Sequence, residues 1–326
     1  MTKVLVFERK GGASGYITDG WLNAFRDSGI VAERWNGKED SWFRFGPDLY
    51  LGCSGHRQPV PDKKRRGCKV AIHVNPRGSK SIPGIDESKE AIAWVEDVVP
   101  DAVYGYGHEK DRPFWNGWDR AGMPWVPMGT AGDLTKFDPS NGSHGAYQIV
   151  YLGGRWSYKA TNIDKYLLPL LQSKRLTYRV HGWGDWPKGL CSGELPEASA
   201  PVFLASGLAG PCISEPHTTT FGIDLPERVF KVALSGTIVI HDCVSGFAEL
   251  LPNIKMARTP AEFTQMAVDV SRMCPADLDK LKKEQLGDVL HSHTYHHRLI
   301  GLFDQLGFDA TGLQQSLTKR IADLGF

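Results

Sequence analysis

The charged residues near the start of one predicted helix could bind an anion or a diol. In "TTTFGIDLPERVFKVALSGTIVIHD" (218–242), Glu227, Arg228 and Lys231 lie on the opening turns of a helix whose other positions are apolar. A helix N-terminus attracts anions because its first N–H groups lack partners within the helix and its dipole is positive there. The segment therefore predicts a site for a phosphate or a sugar diol. The alternative is that these charges only cap an amphipathic helix.

A second pair of charged residues follows a predicted strand end. In "YLGGRWSYKATNIDKYLLPLL" (151–171), Gly153 and Gly154 end the strand, and Arg155 and Lys159 lie four residues apart, just outside the start of a predicted helix. A diphosphate there would meet fixed positive charge as well as backbone N–H groups. Two solvated surface cations are the alternative interpretation.

Small and aromatic residues follow a further predicted strand. In "VHGWGDWP" (180–187), His181 closes the strand, and Trp183 lies between Gly182 and Gly184. Residues of these types suit a flat base lying against the backbone. Aromatic side chains stacked in an ordinary loop would give the same pattern.

The sequence predicts two sheets, and all of these residues lie in the segment of the second one. Short apolar runs alternate with helical patterns, which predicts βα units on parallel sheets. Apolar runs mark seven strands, at 3–8, 48–53, 69–74, 102–107, 147–154, 176–184 and 236–242, with helices near 16–27, 87–97, 160–173, 196–206 and 225–235 and helices only after 259. Turn residues cluster at 137–146. We therefore expect an α/β protein with two Rossmann-like doubly wound domains (1–140 and 141–326), facing across a cleft, with a helical C-terminal tail.

The composition predicts a soluble globular protein. The chain has 326 residues, of which 41% are hydrophobic and 23% charged. It opens without a signal-like apolar segment, and no apolar run approaches the roughly 18 residues of a membrane span, so we expect a cytoplasmic protein. The six cysteines are scattered without a C-x-x-C pair, which argues against a zinc ribbon or a disulfide framework.

Positive charge is concentrated near the N-terminus. Residues 1–85 hold fifteen Lys or Arg against eight Asp or Glu, a local charge of +7 in a chain of net charge +1. Part of it is the run "DKKRRGCK" (62–69), which contains Lys63, Lys64, Arg65 and Arg66. Such a run is either a solvated loop or a contact surface for a polyanion, DNA above all. The Gly-rich turn at Gly11 and Gly12 is either a tight βα turn or a loop that faces the substrate.

Several segments together resemble a known family. They are "WVPMGTAGDLTKFDP" (125–139), "YLGGRW" (151–156), "LPERVFKVALSGTIVIHD" (225–242), "GFAELLP" (246–252) and "SHTYHHRL" (292–299). In this order they resemble the CgeB-type, spore-maturation-protein-like branch of the glycosyltransferases of GT-B architecture. The resemblance implies a nucleotide-sugar donor, linked to UDP, on the second domain and an acceptor on the first.

The resemblance also implies roles for single residues. Arg155, Lys159 and Arg228 would hold the diphosphate, His181, Gly182 and Trp183 would border the nucleoside, and Thr220, Phe221 and Gly222 would belong to the loop over the sugar. Lys231 stands where many relatives carry a glutamate that clasps the ribose. Either Glu227 takes over that role, or Lys231 adds charge against the pyrophosphate.

The catalytic base of such a reaction would follow a strand of the first domain. Glu8, His56, His73 and His108 each close or follow a predicted strand. A structural histidine is the alternative at each histidine position, and a retaining reaction needs no such base.

No metal site is expected. Asp277 and Asp279 form a D-x-D but lie at a predicted helix start, where acids are common. His293 and His297 have the i, i+4 spacing of zinc ligands without a third ligand between them. Arginine and lysine would then neutralise the leaving nucleotide.

The acceptor we expect first is a hydroxylated base in DNA, for instance a hydroxymethylated one. A saccharide, protein or small-molecule acceptor is the alternative, and so is a non-catalytic nucleotide-sugar-binding protein. An NAD-linked oxidoreductase is disfavoured because the chain lacks the G-x-G-x-x-G fingerprint.

Overall fold

The computed structural model describes residues 1–7, 12–57, 60, 67–139, 145–242, 244 and 246–326. Within them the chain forms two compact units. Unit 1 comprises Met1–Thr130 and Tyr295–Phe326, and unit 2 comprises Ala131–Thr294.

The strands and helices alternate along most of the chain. The strands are β1 (Lys3–Phe7), β2 (Val31–Trp35), β3 (Leu49–Cys53), β4 (Lys69–His73), β5 (Ala102–Gly105), β6 (Trp125–Pro127), β7 (Tyr147–Leu152), β8 (Tyr178–His181), β9 (Gly207–Cys212), β10 (Ile238–Asp242) and β11 (Lys255–Ala257). The helices are α1 (Gly12–Asp27), α2 (Glu39–Phe45), α3 (Lys89–Val98), α4 (Arg112–Arg120), α5 (Ser157–Asn162), α6 (Leu168–Gln172), α7 (Ala200–Ala205), α8 (Pro216–Phe221), α9 (Arg228–Leu234), α10 (Pro260–Ser271), α11 (Pro275–Ser292), α12 (Tyr295–Leu306) and α13 (Thr311–Asp323).

Unit 1 is built on a parallel sheet with the strand order β2-β1-β3-β4-β5-β6. All five residues of β3 are buried, as are four of five in β1 and in β4. Such near-continuous burial is typical of parallel strands whose two faces are both covered. The residues at the C-terminal ends of these strands therefore lie along one edge of the sheet, which we call the carboxyl edge.

The C-terminal helices α12 and α13 belong to unit 1. The ring of Tyr295 packs against Gly20, where any side chain would collide with it. Phe303 lies 5.5 Å from Phe25, and His296 Nε2 lies 3.3 Å from a carboxylate oxygen of Asp27. The sequence-based division at 140/141 placed these helices with the second domain. These contacts join residues 269 to 278 positions apart, and a local pattern carries no information about them.

Unit 2 is built on a second parallel sheet, with the order β11-β10-β9-β7-β8. Its core includes Ile149, Ile163, Leu167 and Phe263, all fully buried. A π turn at Ile163–Leu167 joins α5 and α6 into one continuous helical stretch. The seven predicted strands are all present, and the two parallel sheets with their helices confirm the predicted α/β class.

The sequence analysis did not predict four of the strands in the described chain, namely β2, β6, β9 and β11. β9 reads "GLAGPC", which contains two glycines and a proline, residues that are depleted in strands. β6 and β11 are only three residues long. Among the described residues, no helix is both long and apolar enough to cross a membrane.

Candidate functional site

The carboxyl edge of unit 2 is rich in buried polar groups. Ser214, which follows β9, donates hydrogen bonds from its backbone N and its Oγ to the carboxylate of Asp242, the last residue of β10, at 3.0 and 2.8 Å. Both residues are fully buried. The bonds join the ends of the neighbouring strands β9 and β10, and one of the cations described next, Lys159, interacts electrostatically with Asp242.

Arg228 reaches this edge from the first turn of α9. Its guanidinium carbon lies 4.6 Å from the ring centre of Tyr151, and its Nε donates to the carbonyl oxygen of Leu152 at 2.5 Å. Within the described chain its buried Nη1 has no hydrogen-bond partner. Gly153 lets the guanidinium come this close, because any Cβ at that position would collide with it.

Lys159 is the second cation at this edge. Lys159 is only 6% exposed. Burial, together with the charge of Arg228, lowers the pKa of its ammonium group to about 8. The nearby carboxylates of Glu215 and Asp242 oppose that shift. In the described part of the chain, neither Lys159 nor Arg228 has a carboxylate oxygen within 4 Å. Two cations thus share this edge without a direct ion pair.

Arg155 has different partners. Its Nε and Nη2 donate to the two carboxylate oxygens of Asp164 at 2.9 and 2.8 Å, and its Nη1 donates to the carbonyl oxygen of Asp185 at 2.5 Å. The hydrogen bonds to Asp164 raise the pKa of the guanidinium above its ordinary value. All three nitrogens of the guanidinium therefore hold the loop after β7 in place. The sequence grouped Arg155 with Lys159, whereas the structure gives them different surroundings.

Lys231 forms a buried ion pair with Glu227. Its Nζ lies 2.6 Å from Glu227 Oε1, one helical turn earlier. Burial lowers the pKa of Lys231 to about 8, although the charge of Glu227 opposes the shift. The second oxygen of Glu227, Oε2, is buried and accepts no hydrogen bond from any described residue. The start of α9 therefore still presents a carboxylate, that of Glu227, although Lys231 stands where a glutamate was expected.

The loops after β7 and β8 pass very close to each other. Gly182 donates a backbone hydrogen bond to the Gly193 carbonyl at 2.9 Å, and any Cβ on Gly182 would collide with the Gly153 carbonyl. His181 Nδ1 lies 3.0 Å from the Gly193 oxygen. Trp183 packs on Gly154 and remains 50% exposed. These predicted residues thus lie in one pair of loops and present an exposed indole.

The predicted sugar loop contains helix α8. Thr220 Oγ1 donates to the Pro216 carbonyl at 2.8 Å, Phe221 is exposed, and Gly222 ends the helix with a left-handed φ of 71°. A side chain at that φ would be strained, which explains the glycine.

His217 is a residue that our sequence reasoning missed. It is buried at the start of α8, with Nε2 3.2 Å from a carboxylate oxygen of Asp224 and Nδ1 3.3 Å from the hydroxyl of Tyr158. Tyr158 precedes Lys159 on α5. The only signal for His217 in the sequence was its position next to a proline, at the start of the predicted sugar loop.

The carboxyl edge of unit 1 carries the predicted histidines. His73 is buried, 3.8 Å from the Cys53 sulfur, with its ring 4.4 Å from that of Tyr106. His108 is also buried and caps the short 3₁₀ helix Glu109–Asp111. His56 is exposed, with its ring 5.0 Å from Phe7. His73 closes β4, His56 and His108 follow the adjacent strands β3 and β5, and of these three histidines His56 is the exposed one.

Several predicted residues cannot be placed. Glu8, Gly11, Lys63, Lys64, Arg65 and Arg66 lie outside the described residues. Gly12 is the first residue of α1.

Two of the residues weighed as metal ligands bond to other groups of the protein. Asp277 and Asp279 are in the first turns of α11, where Asp277 accepts a hydrogen bond from the Cys274 thiol at 3.1 Å. His293 lies 3.1 Å from the Leu250 carbonyl oxygen. The residues that the structure describes contain no group of three or more His, Cys, Asp or Glu placed to hold a metal ion.

The chain is similar to known glycosyltransferases in sequence and in fold. Residues 165–304 match the model of a family described as glycosyl transferase-like. No curated protein sequence matches the chain significantly.

Three solved structures illustrate the likeness in fold. Sucrose-phosphate synthase from Thermosynechococcus elongatus has a TM-score of 0.61 at 10% identity, over 94% of this chain and 99% of that one. The T4 phage BGT in complex with its UDP-glucose substrate has a TM-score of 0.55 at 13% identity, over 98% and 99%. A structure described as the DNA modifying enzyme β-glucosyltransferase has a TM-score of 0.56 at 12% identity, also over 98% and 99%.

The structural likeness shows the fold, and at 10–13% identity it does not show the substrate. The chain therefore has the GT-B fold, and its residues 165–304 are glycosyl transferase-like in sequence.

Proposed function

We propose that this protein is a nucleotide-sugar-dependent glycosyltransferase that binds the donor diphosphate at the carboxyl edge of unit 2. The observation that carries the proposal is the pair Lys159 and Arg228, two cations without a carboxylate within 4 Å among the described residues. Buried charges are normally paired, because an uncompensated one costs several kcal/mol. A donor diphosphate would supply the missing negative charge.

The hydrogen bonds within the described chain indicate which cations can still bind the diphosphate. Arg228 Nη1 has no partner in the described chain, and Lys159 has no ion pair there, so both are available to phosphate oxygens. Arg155 was predicted as a third ligand. Its guanidinium is bound to Asp164 and Asp185, so we assign it the task of holding the loop that carries Gly153.

The rest of the donor would lie along the same edge. Glu227 Oε2 is a free buried acceptor for a ribose hydroxyl, with Lys231 fixing the other carboxylate oxygen. His181, Gly182 and Trp183 would border the nucleoside, and the loop containing Thr220, Phe221 and Gly222 would cover the sugar. We propose a donor linked to UDP, since the T4 phage BGT of the same fold is described with UDP-glucose as its substrate.

The proposed reaction uses no metal. The leaving nucleoside diphosphate gains negative charge as its bond to the sugar breaks, and Lys159 and Arg228 would stabilise that charge. We also propose that the protein belongs to the CgeB-type branch of the glycosyltransferases, and the resemblance of segments such as 225–242 and 292–299 supports this.

The acceptor we propose first is a hydroxylated base in DNA. The local charge of +7 over residues 1–85 favours a polyanion, and a DNA modifying β-glucosyltransferase has the same fold. A saccharide, protein or small-molecule acceptor is the second candidate, since sucrose-phosphate synthase also has this fold. Tight donor binding without turnover would indicate a non-catalytic sensor instead.

A thermal-shift screen of nucleotide sugars tests the donor site. A ligand at about 100 times its dissociation constant adds roughly 2.7 kcal/mol to the free energy of unfolding. We expect UDP-glucose to raise the melting temperature of the wild type. We also expect the protein to hydrolyse UDP-glucose slowly to UDP and glucose. No shift with any nucleotide sugar would contradict the proposed function.

A salt titration tests the DNA acceptor. Binding to a duplex with hydroxymethylated cytosine should weaken with salt, with a logarithmic slope near −0.9 for each phosphate contacted. Changing Lys63, Lys64, Arg65 and Arg66 together to glutamate should abolish DNA binding and leave UDP-glucose binding intact. Flat salt dependence would move the proposal to a saccharide or small-molecule acceptor.

A further inference from the structure

A carboxylate at the carboxyl edge of unit 2 accepts no hydrogen bond. Glu215 directly follows Ser214, and its side chain is 30% exposed. Among the described residues no N–H or O–H group donates to its carboxylate, whose ionic contact within 4 Å is with His217 Nδ1, 3.9 Å from Oε2. A carboxylate has about four acceptor positions. Glu215 therefore has acceptor capacity that the fold does not use.

Two contacts hold α5 against the segment that contains Glu215. The hydroxyl of Tyr158 lies 3.3 Å from His217 Nδ1, and the side-chain amide of Asn162 donates to the Ser214 carbonyl at 3.0 Å. On one segment these contacts flank Glu215, and on the other they flank the buried lysine of the proposed phosphate site. The carboxylate and this lysine therefore lie on neighbouring segments that are joined on both sides of them.

The two cations of the proposed donor site act on this carboxylate. Burial raises the pKa of Glu215, and the charge of Lys159 opposes the shift, as does that of Arg228 to a smaller extent. In the described chain neither cation lies within 4 Å of a carboxylate oxygen. Glu215 is thus near enough to interact with both and too far away to form an ion pair with either. A sugar bonded to a diphosphate on these cations would begin within reach of Glu215.

The segment that follows Glu215 is held in place by its own contacts. His217 Nε2 lies 3.2 Å from Asp224 Oδ2, and the hydroxyl of Thr218 donates to the Asp224 carbonyl at 3.1 Å. The ring of His217 stacks on that of Tyr158, which is 37% exposed, with the ring centres 5.9 Å apart. Ligand sites typically combine aromatic side chains with a few fixed polar groups, and here two of the polar groups are carboxylates.

We infer that Glu215 selects the donor sugar by its charge, accepting hydrogen bonds from the hydroxyls of an uncharged hexose and repelling a sugar that carries a carboxylate. This inference rests on the proposed function, and all the residues that carry it belong to unit 2. Hydroxyl groups donate charge-assisted hydrogen bonds to a carboxylate. A uronic acid would instead bring a second negative charge next to Glu215, and such a repulsive element is a common source of specificity.

A calorimetric titration with three ligands tests the inference. UDP measures the diphosphate site alone, UDP-glucose adds an uncharged sugar, and UDP-glucuronate adds a sugar with one carboxylate. We expect the wild type to bind UDP-glucuronate at least about tenfold more weakly than UDP-glucose. In Glu215→Gln the ratio of the two Kd values should fall to about threefold or less, because the amide still accepts hydrogen bonds but has no charge. The ratio cancels any change in affinity for the diphosphate.

Two further variants complete the design. Glu215→Asp keeps the charge and should retain most of the preference for UDP-glucose. Glu284→Gln removes a carboxylate of α11 that is 40% exposed and contacts Lys280, and it should leave the ratio at the wild-type value. Equal affinity of the wild type for both nucleotide sugars, an unchanged ratio in Glu215→Gln with an unchanged melting temperature, or a preference lost equally in Glu215→Asp would each overturn the inference.

The outcome for Glu215 is separable from that of the proposed function. If the wild type binds UDP and both nucleotide sugars and Glu215→Gln keeps the wild-type ratio, only the inference about Glu215 fails. If the wild type binds neither UDP nor any nucleotide sugar, the proposed donor site fails, and the inference fails with it.

Discussion

Two buried lysines of unit 2 share a pKa of about 8 and differ in their surroundings. Lys231 lies 2.6 Å from Glu227 in an ion pair within one helix, whereas Lys159 lies beside another cation, Arg228. Burial disfavours the charge of both. A buried lysine with a carboxylate belongs to the architecture of the protein. One that lies beside a second cation lowers stability, and an anion bound there, as at our proposed donor site, would offset that cost.

The largest expected effect concerns the paired lysine. Lys231→Met leaves Glu227 as a buried charge without its partner, and breaking a buried pair in this way costs about 3–5 kcal/mol. We expect that loss in the free energy of unfolding, measured by urea denaturation. The double variant Glu227→Gln/Lys231→Met should recover most of it. A Lys231→Met protein as stable as the wild type would show that the pair contributes nothing to the fold.

The unpaired lysine should behave in the opposite way. Its pKa is lowered from 10.5 to about 8, and this shift corresponds to a cost of roughly 3 kcal/mol for keeping it charged at neutral pH. We expect Lys159→Met to stabilise the free protein by about 2–3 kcal/mol and to weaken UDP-glucose binding at least tenfold. Lys165→Met, at an exposed position of the following π turn, is the matched control and should change neither property.

The stability gained in Lys159→Met should depend on pH, because the folded state lowers the pKa of Lys159. The folded state disfavours the charged form of Lys159, so the penalty is complete below about pH 8 and disappears as pH rises towards 10.5. The stability advantage of Lys159→Met should shrink over that interval. An advantage that stays constant from pH 7 to 10 would contradict the assignment of the charge to Lys159.

The two arginines offer a smaller contrast. Arg228→Met removes a proposed phosphate ligand and should weaken UDP-glucose binding by about 1.5–3 kcal/mol, the range for a charge-assisted hydrogen bond. Arg155→Gln loses the bidentate contact with Asp164 and should weaken binding by less than about 1 kcal/mol. Isothermal titration calorimetry measures both. The reverse order would return Arg155 to the phosphate site, where the sequence first placed it.

The sequence predicted the strand ends better than the partners of the side chains. An apolar run locates β7, so Lys159 could be assigned to the edge after that strand, whereas Arg228 was assigned from a predicted helix start and the family resemblance. Nothing in the local pattern indicates that Arg155 binds Asp164 or that His217 lies against Tyr158, because these contacts depend on tertiary packing. The missed β9 shows the same limit, since pairing with β7 and β10 overrides the weak strand preference of its residues.

The return of α12 and α13 to unit 1 has a consequence for the order of folding during synthesis. Residues 131–294 of unit 2 are contiguous, so that unit has all of its chain once residue 294 has left the ribosome. Unit 1 lacks the aromatic contact of Phe303 with Phe25 and the packing of Tyr295 on Gly20 until residues 295–326 have followed. The first sheet to be translated is therefore the last to be covered, and a nascent chain would expose one face of α1 for most of its synthesis.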